Sequence, residues 1–164
     1  SAAHVIPPAG GTPLGLGMTR KLDHTHTAGH LGVAEAWVPP GMFVPPHVHT
    51  REDEVTYVLE GTLHVVVDEA LSICPAGTWI LKPRDLVHAF WNAGPAPARV
   101  IELWTPAPLD DYFGELAALV QDPALDEAAR RGSIDAHQAR HGITFFEDRA
   151  AEYARRFGAP ARPR

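Results

Sequence analysis

GMFVPPHVHTREDEVTYVLEG, running from Gly41 to Gly61, sets two histidines two residues apart and follows them with three consecutive acids, inside a segment otherwise built like strand. Alternate residues of a strand project to one face, so His47 and His49 point together, with Phe43 and Pro45 on their side. Glu54, Thr56 and Val58 share a face in the same way, and the apolar Leu63 and Val65 beyond them agree with an inward orientation for that set. The pair Glu60-Gly61 reads as the tip of a tight hairpin in which Leu59 faces Thr62 and Val58 faces Leu63. A lone carboxylate in such surroundings is costly to bury, because a buried charge either changes its protonation or finds a counter-charge. A divalent cation held by Glu54 together with His47 and His49 supplies that counter-charge.

The rest of the chain sets the limits within which this reading holds. With 164 residues, 45% of them apolar, and a formal net charge of -6, it reads as one globular domain without a basic face, which argues against nucleic acid as a partner. Cys74 is the only cysteine, so an internal disulfide is excluded and a reducing compartment is the simplest setting. Neither an apolar run long enough to cross a bilayer nor a basic start followed by an apolar stretch is present, and the expectation is a cytoplasmic protein without membrane contact.

Glycine and proline punctuate the chain densely as far as Pro108 and sparsely afterwards. Short strands are expected over 31–38, 44–49, 55–59, 62–67, 71–74, 78–81, 86–91 and 99–105, which suggests a mainly β sandwich or barrel. Residues 1–30, rich in Pro, Gly and Ala at their start, read as an extended arm and 31–108 as the barrel. Residues 109–164 read as helices packing on the barrel or on a partner subunit. Leu109, Tyr112, Phe113, Leu116, Leu119 and Val120 form an apolar stripe at helical spacing. Asp122 and Ser133 read as caps of two further short helices, the second ended by Gly142, and EDRAAEYARRFG reads as a last one.

A fourth ligand has to come from another strand, and GTWILKPRDLVHAFWN, Gly77 to Asn92, offers His88 between Val87 and Phe90. Gly41, His47, His49, Glu54 and Gly61 fit the pattern Gx5HxHx4Ex6G, and Gly77, Pro83, His88 and Asn92 fit Gx5PxGx2Hx3N, with Asp85 at the position of that pattern's internal glycine. In these paired motifs the chain resembles the cupin superfamily, small single-domain members similar to quercetin 2,3-dioxygenase in particular. The resemblance covers about 31–105. It implies a single cupin barrel of the double-stranded β-helix or jelly-roll kind with a short helical extension. It also implies one divalent metal ion per chain on His47, His49, Glu54 and His88, and a homodimer, for which the apolar stripe of 109–120 offers a surface. Fe, Mn, Ni, Cu and Zn all suit such ligands.

The remaining candidates are less defined. Glu35 and Glu102 each alternate with apolar neighbours, so either can point inward as a second acid or base beside Glu54, or outward to solvent. Phe43, Thr56, Val58, Val65, Phe90 and Trp104 are the expected walls of a substrate pocket. His64 falls on the face opposite Leu63 and Val65, and His24 and His26 lie in a polar segment. His137 and His141 share a helical face with no third ligand near in sequence, so a helix-end dipole contact is expected. The expected activity is an oxygenase in which a small enolisable, phenolic or carboxylate-bearing substrate chelates the metal and Glu54 removes its proton. A non-redox lyase, isomerase or cyclase on the same site is the alternative. A small-molecule-binding module without turnover is the third.

Overall fold

The computed structural model describes residues 4–107 and 109–160, so the expected boundary at Pro108 and the ends of the arm and tail lie outside the described residues. The chain runs through β1 (Thr12–Gly15), β2 (Met18–Leu22), β3 (Gly32–Val38), β4 (Phe43–His49), β5 (Asp53–Glu60), β6 (Thr62–Val67), β7 (Ala70–Pro75), β8 (Trp79–Lys82), β9 (His88–Trp91) and β10 (Ala98–Thr105). Then follow α1 (Leu109–Gln121), α2 (Glu127–Arg140), β11 (Ile143–Phe145), a 3-10 turn (Glu147–Arg149) and α3 (Ala150–Phe157).

Two antiparallel sheets face each other in a jelly roll, one in the order β1-β2-β3-β10-β5-β8 and the other β11-β4-β9-β6-β7. The barrel strands fall close to their expected ranges because each carries a strict two-residue alternation, as in β10, where Ala98, Val100, Glu102 and Trp104 all face inward. Between the sheets Ala36, Val38, Val58, Leu63, Val65 and Val100 form a packed core.

Three local expectations are corrected. Glu60 and Gly61 do not close a hairpin: β5 pairs with β10 and β8, β6 pairs with β9 and β7, and the chain crosses from one sheet to the other at Gly61. Gly61 permits this with φ +79, at a point where a Cβ would lie 3.0 Å from Ala98. Val58 and Leu63 therefore meet across the core instead of along a ladder. Secondly, part of the supposed arm is a packed hairpin, β1 against β2 and β2 against β3, and Leu14 is buried beneath α1. Its Gly-Pro content marks turns, not looseness. Thirdly, a single helix α2 contains Ser133; its cap is Asp126, whose side chain accepts from the amide of Ala129.

The first turn of the stripe on α1 is not free for a partner, although Val120 at its far end is exposed. Leu109 and Tyr112 are buried with Leu14, Ala34, Trp104 and Ile143, so α1 closes one end of its own barrel. On the other side α3 covers Val66, Ala89 and Trp91 with Tyr153. No helix among the described residues is long and apolar enough to cross a membrane.

Candidate metal centre

β4 delivers His47 and His49 inward, β5 delivers Glu54 and β9 delivers His88, and all four are buried. The register explains the convergence, since His47 lies directly opposite His88 between neighbouring strands. Asp85 takes φ +66, the left-handed conformation that the turn before β9 demands, and its amide donates to the carbonyl of His49. The departure at this position from the glycine of the motif thus leaves the turn intact.

Two of the imidazoles are oriented by the backbone. His47 Nδ1 lies 2.8 Å from the carbonyl of Pro45, and His88 Nδ1 lies 3.1 Å from that of Leu86. A carbonyl only accepts, so each Nδ1 carries the hydrogen and each Nε2 presents a lone pair to the interior. The ring of Phe145 on β11 stacks on His47 at 4.7 Å and 13°. His88 Nε2 sits 3.3 Å from Glu54 Oε2, and His49 Nε2 is 3.8 Å from the same oxygen. Both His88 Nε2 and Glu54 Oε2 are buried without a hydrogen-bond partner. Lone pairs aimed at one another in a buried site call for a cation between them. The donor set of three imidazoles and a carboxylate suits a divalent transition ion, so these residues fit the group that the motifs imply.

Electrostatics agree. Burial, reinforced by the neighbouring imidazoles, holds His47 well below its ordinary value, and burial holds His49 down to about 4. Both stay neutral and able to ligate at neutral pH. Burial alone would push the Glu54 carboxyl up, but Lys82 and the imidazoles outweigh it and keep it well below the usual carboxylate range.

Lys82 escapes a motif-based reading of the sequence. Its ammonium, 1% exposed, lies 3.1 Å from Glu54 Oε1 and 3.3 Å from Glu102 Oε2. Alternation could have found it, since Ile80 and Lys82 are the inward residues of β8 and Lys82 pairs in register with Glu54. Glu52 also comes as an addition, buried with its Oε2 3.9 Å from His49 Nδ1; it lies between strands, where no period places it.

The other candidates divide. Glu102 points inward, accepts from Thr56 Oγ1 at 2.8 Å, and is pushed by burial and by Glu54 up to about 8. Glu35 does not reach the site, because Ala34, Ala36 and Val38 are the inward residues of β3; it pairs outside with Arg99 at 2.7 Å and Lys21 at 3.3 Å. A cavity of about 230 Å³ opens onto His47, His49, Glu54 and Glu102. Of the expected walls, Phe43 and Phe90 line it, joined by Tyr112 and Phe113 of α1 and by Ile143 and Phe145. Val58 and Val65 are packed in the core instead, Thr56 lies behind Glu102, and Trp104 is buried beneath α1 against Phe113. These corrections share a cause: strand alternation gives the face of a side chain but not its depth along the barrel axis. His64 is on the outer side, stacked on Trp91 at 5.5 Å.

Residues 35–105 match the family described as the cupin domain, and the jelly roll with its buried histidine cluster has the cupin fold. Protein SchB of Streptomyces halstedii is 35% identical over 75 residues, 46% of this chain and 53% of its own. The polyketide synthase CurC of Streptomyces cyaneus is 33% identical over 75 residues, 46% of this chain and 47% of its own. The chain thus spans about half the length of these curated relatives. The structure of KdgF from Halomonas sp. superposes with a TM-score of 0.56 over 68% of this chain and 99% of that one, at 23% identity, a likeness of fold.

Proposed function

We propose that this cupin is a metal-dependent oxygenase acting on a small, mostly apolar organic molecule that presents an enolisable, phenolic or carboxylate oxygen to the histidine cluster. The observation that supports it is the meeting of an apolar cavity with the unpartnered lone pairs of His88 Nε2 and Glu54 Oε2 and the inward imidazoles of His47 and His49. A bound Fe, Mn, Ni or Cu ion supplies Lewis acidity and one-electron chemistry with dioxygen, whereas Zn supplies only the first.

The side chains have distinct parts in this reading. His47, His49, His88 and Glu54 would hold the ion, while Lys82 binds Oε1 of Glu54. Tyr112, Phe113 and Phe145 exclude water and receive the apolar body of the substrate. Glu102, which lines the cavity, is in place to exchange a proton with the bound molecule alongside Glu54. The name of CurC adds weight to the substrate class, since polyketide chains are enolisable and cyclise to phenols. We further place the protein in the cytosol, consistent with a single buried thiol, and as a homodimer. With Leu109 and Tyr112 of the α1 stripe buried, we assign the dimer contact to the barrel wall, where Ile73, Trp79 and Leu81 are exposed. Light scattering of the purified chain tests the dimer.

A second reading, a non-redox isomerase, cyclase or lyase, is favoured by one feature, the Lys82-Glu102 pair that keeps a proton store beside the cluster. The two separate in one experiment. Metal-free protein is reloaded with Fe(II), Mn(II), Ni(II), Cu(II) or Zn(II) and supplied with phenols and 1,3-dicarbonyl compounds while dissolved oxygen is recorded. Oxygen consumption by at least one redox-capable form and none by the zinc form is the expected result. Full turnover of the zinc form under nitrogen would establish the second reading in place of the first.

A further inference from the structure

Outside the barrel, α1 and α2 bring together Glu115, His137 and His141, whose potential ligand atoms all lie within 4.8 Å of one another. His137 is fully buried, and its Nε2 lies 3.0 Å from the carbonyl of Tyr112. That carbonyl can only accept, so Nε2 carries the hydrogen and the lone pair belongs to Nδ1. Nδ1 faces Glu115 Oε2 at 3.2 Å, an arrangement of two acceptors that repel unless a positive charge lies between them. The gap fits a metal: ligands about 2.0–2.1 Å from a tetrahedral zinc stand about 3.3 Å apart. His141 is one helical turn beyond His137, with ring centroids 4.7 Å apart, and its amide is anchored to the carbonyls at the end of α2. Burial beside His137, with Arg140 and Arg51 nearby, keeps the His141 imidazole below its ordinary value and therefore able to ligate at neutral pH.

A positive group already occupies the position that a metal would claim. Arg140 Nη2 lies 3.1 Å from His137 Nδ1 and 3.4 Å from Glu115 Oε2. Its side chain is 63% exposed, so it can swing into solvent at little cost and give way to a more strongly held cation.

We propose that Glu115, His137 Nδ1 and His141 form a second binding site, for a zinc-class divalent ion, that ties α1 to the end of α2 and leaves a coordination position to water. Two nitrogens and one carboxylate oxygen are the ligands zinc accepts in three-residue sites. The site bears on the cavity, because Tyr112 and Phe113 of α1 and Ile143 and Phe145 just after His141 form its wall. An ion here fastens both sides of that wall. His137 and His141 alone suggested only a helix-end contact, since the third ligand arrives from a different helix.

The test is zinc content after equilibrium dialysis of the metal-free chain against micromolar Zn(II). The intact chain is expected to hold two ions, and Glu115→Gln and His141→Ala, both at partly exposed positions, one each. His88→Ala, which damages only the barrel cluster, retains the helix site, so failure of one site is distinguishable from failure of the other. Arg140→Ala is expected to bind the second ion about fivefold more tightly, the scale of one exposed charge contact. Two ions in both the Glu115→Gln and His141→Ala chains would overturn the proposal. So would a single ion in the intact chain that His88→Ala abolishes and His141→Ala does not.

Discussion

With its ammonium 3.1 Å from Glu54 and 3.3 Å from Glu102, Lys82 supplies the counter-charge that keeps Glu54 anionic, while burial beside Glu54 pushes Glu102 up to about 8. Removing one partner of such a network leaves an uncompensated charge, so Lys82→Met is expected to cost the metal-free fold about 3–5 kcal/mol in urea unfolding. The metal-loaded protein should lose less, since an ion can take over part of the counter-charge; an equal loss in both forms would count against a metal at this cluster. Acid response follows from the same residues. His49 titrates at about 4 in the fold and near 6.5 in the unfolded chain, so between those values the unfolded state binds more protons and stability falls as pH falls. Glu102, pushed up to about 8, acts with the opposite sign between pH 8 and its unfolded value near 4.5, and masks the effect. In the metal-free Glu102→Gln chain the mask is gone, and unfolding free energy should drop from pH 7 to pH 4.5 by at least the roughly 2–3 kcal/mol that His49 contributes, since His47, held lower still, acts with the same sign, against a flatter profile for the parent chain. A flat profile in the variant would show that neither His47 nor His49 is held neutral. The sequence displayed the four clustered residues because their spacing is itself the signal, and it displayed Lys82 only to a reader who followed the alternation of β8. Glu52 carried no such signal.

Helix α1 illustrates what an apolar stripe can and cannot say. Its stripe is legible from spacing alone, yet periodicity does not reveal whether the covering surface belongs to the same chain. Leu14 from the amino-terminal hairpin, with Ala34 and Trp104, supplies that surface here. Leu109 is fully buried in this contact, so Leu109→Ala should cost about 2–5 kcal/mol, read from the denaturation midpoint, through lost transfer energy and the void left behind. A cost below about 1 kcal/mol would mean that α1 is not seated on the barrel. The crossing at Gly61 teaches the complementary lesson. A tight turn between two apolar runs fits a hairpin and a sheet-to-sheet corner equally well, because both need φ > 0 and both send Val58 and Leu63 inward. What selects the corner is competition for partners. β10 and β8 flank β5, β9 and β7 flank β6, and these pairings join residues too far apart in sequence for local pattern to reveal.

At the scale of the whole molecule, the cluster draws its ligands from strands of both sheets, so ligand binding there should report on global unfolding. An ion that binds the native but not the unfolded chain adds about 2.7 kcal/mol when present at 100 times its Kd. For a domain of this size each kcal/mol moves Tm by about 2–4 °C, so loading the metal-free protein should raise Tm by roughly 5–11 °C. The measurement belongs in the His141→Ala chain, where the ion proposed between α1 and α2 cannot contribute and any gain comes from the barrel. Adding His88→Ala to that chain removes an imidazole that faces Glu54 Oε2 at 3.3 Å, and should abolish the rise while lowering the metal-free Tm by its own packing cost. The comparison is internal, since each chain is its own reference with and without metal. A rise of the same size in both chains would place the stabilising ion somewhere other than the four buried residues, and the proposed oxygenase site would have to be abandoned with it.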